Sequence, residues 1–261
     1  MKNFEKEFEN EETELLVLIQ KDIGGAVVDG DYLCPSAAFL ASVDVKTGAL
    51  SRERGRLEWR IKRTPQHSGW GFDLAGMTAY RVRVRRAMEK KPEPRYLLLE
   101  ILESGLCHGG LEEIRAAYQR PVVIEAGETG SFVLDRDYEW YEGEMDWLGH
   151  ACEVMLELDE GRETAEGAME ALLQLAGSLE GWDERIRSFA AANLVELAND
   201  WQDEEEITPE EFKRRMEISG VRISADGGLS VTFLDDNMFW GHWIVVEGNI
   251  SGELESADIE G

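Results

Sequence analysis

Apolar and polar residues alternate through most of the first half of the chain. In RLEWRIK the apolar Leu57, Trp59 and Ile61 recur at every second position, and in TAYRVRVRRA Tyr80, Val82 and Val84 interleave with Arg81, Arg83 and Arg85. Period-two patterns of this kind predict half-buried strands. AAFLASVDVKTGAL reads as a further strand ending in a Lys-Thr-Gly turn, and RYLLLEILE as a more apolar strand after the break at KKPEPR. GGLEEIRAAYQR instead sets Leu111, Ile114, Ala117 and Tyr118 at helical spacing, and Pro121 bars its continuation. These elements predict a β-rich domain over residues 25–126, preceded by an acidic segment over 1–24 whose FEKEFENEETE is expected to be a solvated tail.

The pattern changes in the second half. In GSFVLDRDYEWYEGEMDWLGHACEVMLELD, Phe132 and Leu134 alternate with polar residues, and Cys152, Val154, Leu156 and Leu158 share one face, which predicts a three-stranded antiparallel meander. Trp182, Ile186, Phe189, Ala190, Leu194 and Leu197 then follow the 3.6-residue period, and a break near Gly177 to Gly181 divides the region into two helices. In ITPEEFKRRM, Thr208 is placed to cap, Pro209 to occupy the first helical position and Glu211 to complete a capping box. VRISADGGLSVTFLDDNMFWGHWIVVEGN and the residues after it supply three or four closing strands, with Asp226-Gly227 a hairpin turn. The predicted class is α+β, with a C-terminal domain over 127–261 in which a helix layer covers one antiparallel sheet.

Charge sharpens the division. The chain has 27 basic and 54 acidic residues, a net charge of -27. Residues 1–125 hold 19 Lys and Arg against 20 Asp and Glu, whereas 126–261 hold 8 against 34. A field of that sign repels nucleic acid and anionic membranes and steers a basic protein partner. The opening residues lack the basic start and long apolar segment of a secretory signal, and no apolar run approaches the roughly 20 residues of a membrane span. Cys34, Cys107 and Cys152 are odd in number and scattered, which fits a reducing cytoplasm rather than a disulfide framework.

Several residues are candidates for chemistry. The phosphate-cradling GxxxxGK[ST], a GxGxxG opening a helix, HExxH and GxSxG are absent, so no cofactor is expected and the common nucleotide and hydrolase motifs are excluded. Asp135, Asp137 and Glu139 have the early spacing of a calcium loop, but Trp140 stands where the sharp turn needs glycine. His150 and Cys152 share a strand face without a second pair to complete a zinc site, so no metal is expected. The Arg81, Arg83, Arg85 ladder offers a phosphate-contacting strand, opposed by the absence of any net positive charge in that half. His242 with Asp235 or Asp236 is the one arrangement suggesting a hydrolase or metal-dependent enzyme. Against it stands a packed hairpin turning at Asp235 to Met238, in which Leu234 faces Phe239, Phe233 faces Trp240 and Val231 faces His242. For a protein-binding surface the candidates are Asp203, Glu204, Glu205 and Glu206 in the loop after the long helix, with Trp240 and Trp243.

Taken together, GSFVLDRDYEWYEGEMDWLG, WDERIRSFAAANLVELANDWQDEEEITPEEF and FWGHWIVVEGNISGELESADIEG resemble the bacterial domain of unknown function 2262 family over about residues 127–261. The distinctive pieces are the FWGH run, the ANDW helix end and the closing AxIxG of Ala257, Ile259 and Gly261. Trp243 departs from the small polar residue expected there, which argues against a polar role at that position. Residues 30–125, with RLEWRIK, GWGFDL and YRVRVRR, look like the region that often precedes this domain. The resemblance implies a bacterial, cytoplasmic, two-part protein, and the C-terminal part is distantly similar to small α+β proteins of toxin-immunity systems. The reading that follows is a non-enzymatic, acidic, immunity-like or regulatory protein that binds a basic protein.

Overall fold

Alternating side chains in the first half of the chain close a sheet on itself. In the computed structural model, which describes residues 4–64, 69–89, 91–201 and 206–261, a 3-10 turn over Phe4–Glu7 leads into β1 (Phe8–Ile19), β2 (Ala26–Asp29), β3 (Tyr32–Asp44), β4 (Leu50–Ser51), β5 (Gly55–Glu58), β6 (Ile61–Lys62), β7 (Ala79–Ala87), β8 (Arg95–Ser104) and α1 (Gly109–Gln119). β1 pairs antiparallel with both β3 and β7; β3 pairs with β5, β5 runs parallel to β8, and β8 returns to β7. The ring β1-β3-β5-β8-β7 is therefore complete. With β7 lying beside β1 after three consecutive strands, it is a five-stranded Greek-key barrel of the kind the OB-fold exemplifies.

Val17, Phe39, Leu57, Val82 and Leu98 fill the barrel, and Leu111 of α1 seals its outer wall against Leu18, Leu40 and Val43. Gly55 sits where β5 meets β8. A Cβ there would collide with the Phe39 ring and lie 2.7 Å from the Pro94 carbonyl oxygen, so the closure needs a glycine. RLEWRIK, expected as one strand, divides into β5 and β6 at Trp59, whose indole is buried and donates to the Trp70 carbonyl at 2.6 Å.

The acidic opening is not a solvated tail. FEKEFENEETE supplies the first turn and the start of β1, and its carboxylates meet the arginine ladder of β7. Arg81 donates twice to Glu14 (2.9 and 2.6 Å), Arg83 bonds Glu100 at 2.7 Å, and Arg85 donates to the backbone carbonyls of Phe8 and Glu9. The ladder is a lattice of matched charges rather than a bare cationic strand.

The second half is a single mixed sheet with helices on one face. Its elements are β9 (Val123–Glu125), β10 (Ser131–Asp135), β11 (Trp140–Trp147), β12 (His150–Glu157), α2 (Glu166–Ala176), α3 (Leu179–Trp201), α4 (Pro209–Arg215), β13 (Glu217–Ile223), β14 (Gly228–Leu234), β15 (Trp243–Asn249) and β16 (Leu254–Glu260). The strands lie in sequence order from β9 to β16. Every neighbouring pair is antiparallel except β12 and β13, which are parallel. This departs from the all-antiparallel expectation, and the reason is connectivity: parallel neighbours need a long crossover, which the three helices provide.

Phe132, Tyr141, Val154, Val221, Val231, Phe233 and Ile244 point to the helix side, where Leu172, Leu175, Ile186, Leu194 and Phe212 cover them. Alanines at 168, 171, 190, 191 and 198 are buried with them, and their small side chains let the helices sit close to the strands. Thr208 caps α4 by accepting from the Glu211 amide at 3.2 Å, as the sequence predicts. α2 has no side-chain cap at Ala165; instead Asp159 accepts from the Glu166 and Gly167 amides and from the Thr164 hydroxyl.

By contact density the chain divides into Met1–Arg120 and Pro121–Gly261. The first unit has 19 basic and 19 acidic residues and the second 8 and 35, so the excess charge lies entirely in the second. Among the described residues no helix is long and apolar enough to cross a membrane.

Candidate functional site

The link between β14 and β15 is longer than alternation predicts. Leu234 pairs with Trp243, Phe233 with Ile244 and Val231 with Val246, so residues 235–242 form a loop and not the continuation of a hairpin. The expected pairs of Leu234 with Phe239, Phe233 with Trp240 and Val231 with His242 do not form. Met238 and Phe239 explain the change: both are fully buried, Phe239 lying edge-on to Trp201 (5.7 Å) and Phe212 (6.2 Å), and driving both into the core consumes residues that a tight turn would leave outside.

Asp235 organises this loop. Its carboxylate is only 4% exposed and accepts from the amides of Asn237 (3.1 Å), Phe239 (2.6 Å) and Gly241 (3.1 Å). Those bonds satisfy a buried charge that would otherwise be costly. The backbone follows an unusual path, with positive φ at Asp236 (43°), Asn237 (65°), Trp240 (60°) and Gly241 (88°). Left-handed geometry is easy for glycine and tolerable for Asp and Asn, but at tryptophan it costs about 1 kcal/mol.

His242 does not join the aspartates. Its Nδ1 lies 2.6 Å from the Phe239 carbonyl oxygen, which can only accept, so Nδ1 carries the proton. The imidazole stands edge-on to Trp201 at 5.6 Å. Asp236 pairs instead with Arg215, whose Nε donates to it at 2.9 Å. The residues proposed as a base or ligand set are thus each committed elsewhere, and among the described residues no three His, Cys, Asp or Glu side chains converge as a metal ion would require. Cys152 is buried in the core, where burial pushes its thiol up to about 12, while His150 is exposed at the start of β12. The Asp135 run is a turn, its carboxylate accepting from the Asp137 and Tyr138 amides.

The second sheet's other face carries the charge. Register places Glu144, Glu153, Gly220, Thr232, Val245 and Asp258 in one row across β11 to β16, and Glu142, Met155, Arg222, Ser230 and Glu247 in the adjacent row. None of α2, α3 and α4 lies on this side. Glu142, Glu144, Glu153, Glu247 and Asp258 are exposed, and Arg222, bonded to Glu157 at 2.8 Å, is the cation set among them. At the β14–β15 end the face ends in a row of Glu217, Leu234, Trp243 and Glu260, where Leu234 is 42% and Trp243 51% exposed. Trp240, in the adjoining loop, is 71% exposed and sits 5.1 Å from the half-buried Trp201.

Of the sequence-predicted surface candidates, Trp243 stands at the end of the helix-free face, Trp240 is exposed in the loop against Trp201 of α3, and Glu206 is exposed after α3. Asp203, Glu204 and Glu205 lie outside the described residues. Sequence reasoning missed Trp201, the ring on which the loop is built. It did not foresee that Asp183 accepts from the Trp147 indole (2.8 Å) and pairs with Arg187, which also donates to the Lys213 and Met216 carbonyls. The spacing of Asp183 and Arg187, four apart on a helix, was the available signal.

The chain matches a family profile described as "Uncharacterized protein conserved in bacteria (DUF2262)" over residues 127–259, and a second, "Domain of unknown function (DUF7021)", over residues 1–118. No curated protein matches it. The first match spans more than half of the sequence and takes in the whole helix layer, the acidic strands and both Trp240 and Trp243; the chain belongs to the DUF2262 family, and the residues ahead of that domain match the DUF7021 profile.

Proposed function

We propose that the second domain is a non-enzymatic docking module that holds a basic protein in the bacterial cytoplasm, in an immunity-like or regulatory role. The observation that supports this most is the arrangement of charge on the helix-free face. Glu144 and Glu153 stand directly opposite one another, a placement that costs stability in a sheet, and the surrounding positions add Glu142, Glu247 and Asp258. A field spread over several strands raises the encounter rate of a cationic partner, and the exposed Trp243 at the end of the face supplies a contact that carries affinity once desolvated. The alternative, hydrolysis or metal chemistry at His242, has less support, because Asp235 and Asp236 are engaged by backbone amides and by Arg215.

The test is isothermal titration of the full chain with an arginine- and lysine-rich synthetic peptide across a range of salt. Binding should weaken as salt screens the face, and should be lost in a Glu144→Lys/Glu153→Lys variant. It should survive in a Glu170→Lys/Glu196→Lys variant, which removes the same charge from the exposed helix surface. Loss in both variants would reduce the effect to net charge, and binding indifferent to salt would sink the proposal.

A further inference from the structure

We infer that Trp240, held against Trp201 beside His242, is a preformed seat for one arginine side chain of that basic partner. The inference rests on the docking reading and adds a specific contact to it.

The seat is rigid by construction. Asp235 ties three amides of the loop, and Met238 and Phe239 anchor it in the core, so the backbone on either side of Trp240 is fixed from below. Closing the hairpin does not require an aromatic residue at a left-handed position; Gly or Asn would serve with less strain. What the tryptophan adds is an indole turned outward, 71% exposed, and backed by a second indole at 5.1 Å. Strain held in place by over-determined surroundings is a mark of a working position.

The chemistry of the seat favours a guanidinium. Elsewhere this chain places arginines over rings of its own: Arg60 over Tyr32 at 3.8 Å, Arg185 over Trp182 at 4.7 Å and Arg187 over Phe233 at 5.0 Å. Among the described residues no cation of the chain lies over Trp240, although tryptophan is the best ring for the purpose. The surrounding domain, with 8 basic and 35 acidic residues, favours a cationic occupant over an anionic one. A planar, weakly hydrated guanidinium stacks on an indole better than a compact ammonium does.

Titration with two peptides of equal length and charge, one carrying arginine and the other lysine throughout, tests the seat. The native chain should bind the arginine peptide more tightly. Trp240→Ala should weaken that peptide by about tenfold, as expected for a partly desolvated cation–π contact, and should abolish the preference for arginine. Trp240→Phe should restore part of both. Because the side chain is exposed and the buried anchors Met238 and Phe239 stay in place, Trp240→Ala should melt close to the native protein, which separates a lost contact from a lost fold. If Trp240→Ala binds both peptides as the native chain does, while Glu144→Lys/Glu153→Lys still abolishes binding, the seat is refuted and the docking face stands. If the native chain binds neither peptide, both are refuted.

Discussion

The two sheets use the same device, a strand with three charged outward positions in a row, with opposite results. On β7 of the barrel, Arg83 pairs across the ladder with Glu14 on one side and Glu100 on the other. On β11 of the second sheet, Glu144 faces Glu153. The first arrangement is self-sufficient: Arg81, Arg83 and Arg85 each find a carboxylate or carbonyl within their own unit, and the unit's charges sum to zero. The second leaves like charges opposed and unanswered. Strand ladders of charge are thus not equivalent surfaces, and which of them can attract a partner depends on what the neighbouring strand carries rather than on the alternation itself.

The sharpest way to probe the comparison is to break a charge pair that the second unit does complete. Asp183 and Arg187 are each 16% exposed and joined by two bonds of 2.8 and 2.9 Å, with Arg187 lying over the Phe233 ring and donating to two carbonyls at the end of α4. Arg187→Met should cost about 3–5 kcal/mol, because it strands a partly buried carboxylate and two carbonyl oxygens. Arg81→Ala on the barrel surface should cost less than about 1 kcal/mol. Calorimetry on the full chain would compare them, and similar losses would mean that burial is not what distinguishes the matched pairs of the two units.

A smaller effect is expected at Asp159, whose carboxyl lies below the usual carboxylate range because the Thr164 hydroxyl and then the Glu166 and Gly167 amides bond its charged form. A depressed folded value means that the contribution is present above the unfolded titration, near pH 4, and fades as pH falls through the folded value. Asp159→Asn should therefore cost about 1 kcal/mol at neutral pH and should flatten the decline of stability towards acid. An unchanged acid limb would show that α2 does not depend on this remote cap.

Much of this architecture is legible where the deciding chemistry is local. Thr208, Pro209 and Glu211 specify the start of α4 within four residues, and WYEGEMDW shows from its alternation which side of β11 is acidic. What was not legible depends on distant residues. The start of β1 reads as a tail because its acids are balanced only by arginines far along the chain. The parallel join of β12 to β13 leaves no trace in a period-two pattern, which is the same for either direction. At FLDDNMFWGHW the alternation pointed to a tight turn at Asp235 to Met238 with the strand resuming at Phe239, and the docking of Phe239 and His242 on Trp201 overrode it. Trp240 and Trp243 were visible as surface candidates, but the loop that sets one against Trp201 and the other on the open face was not.

The smallest predicted effects give the most direct reading of the comparison, because they should differ in sign. Glu14→Lys removes the acceptor of Arg81 and sets a lysine beside Arg83, so it should lower the barrel's stability by about 1 kcal/mol. Glu153→Lys places a cation directly opposite Glu144 and relieves the excess of acid around it, so it should raise the stability of the second unit by about 0.2–1 kcal/mol. The same substitution type on two solvent-facing strands would then destabilise one sheet and stabilise the other in thermal scans at low salt, with the gap narrowing as salt is added. A loss of stability in Glu153→Lys would mean that the opposed carboxylates are already accommodated and carry no cost. In that case their retention on an open face would need no partner to explain it.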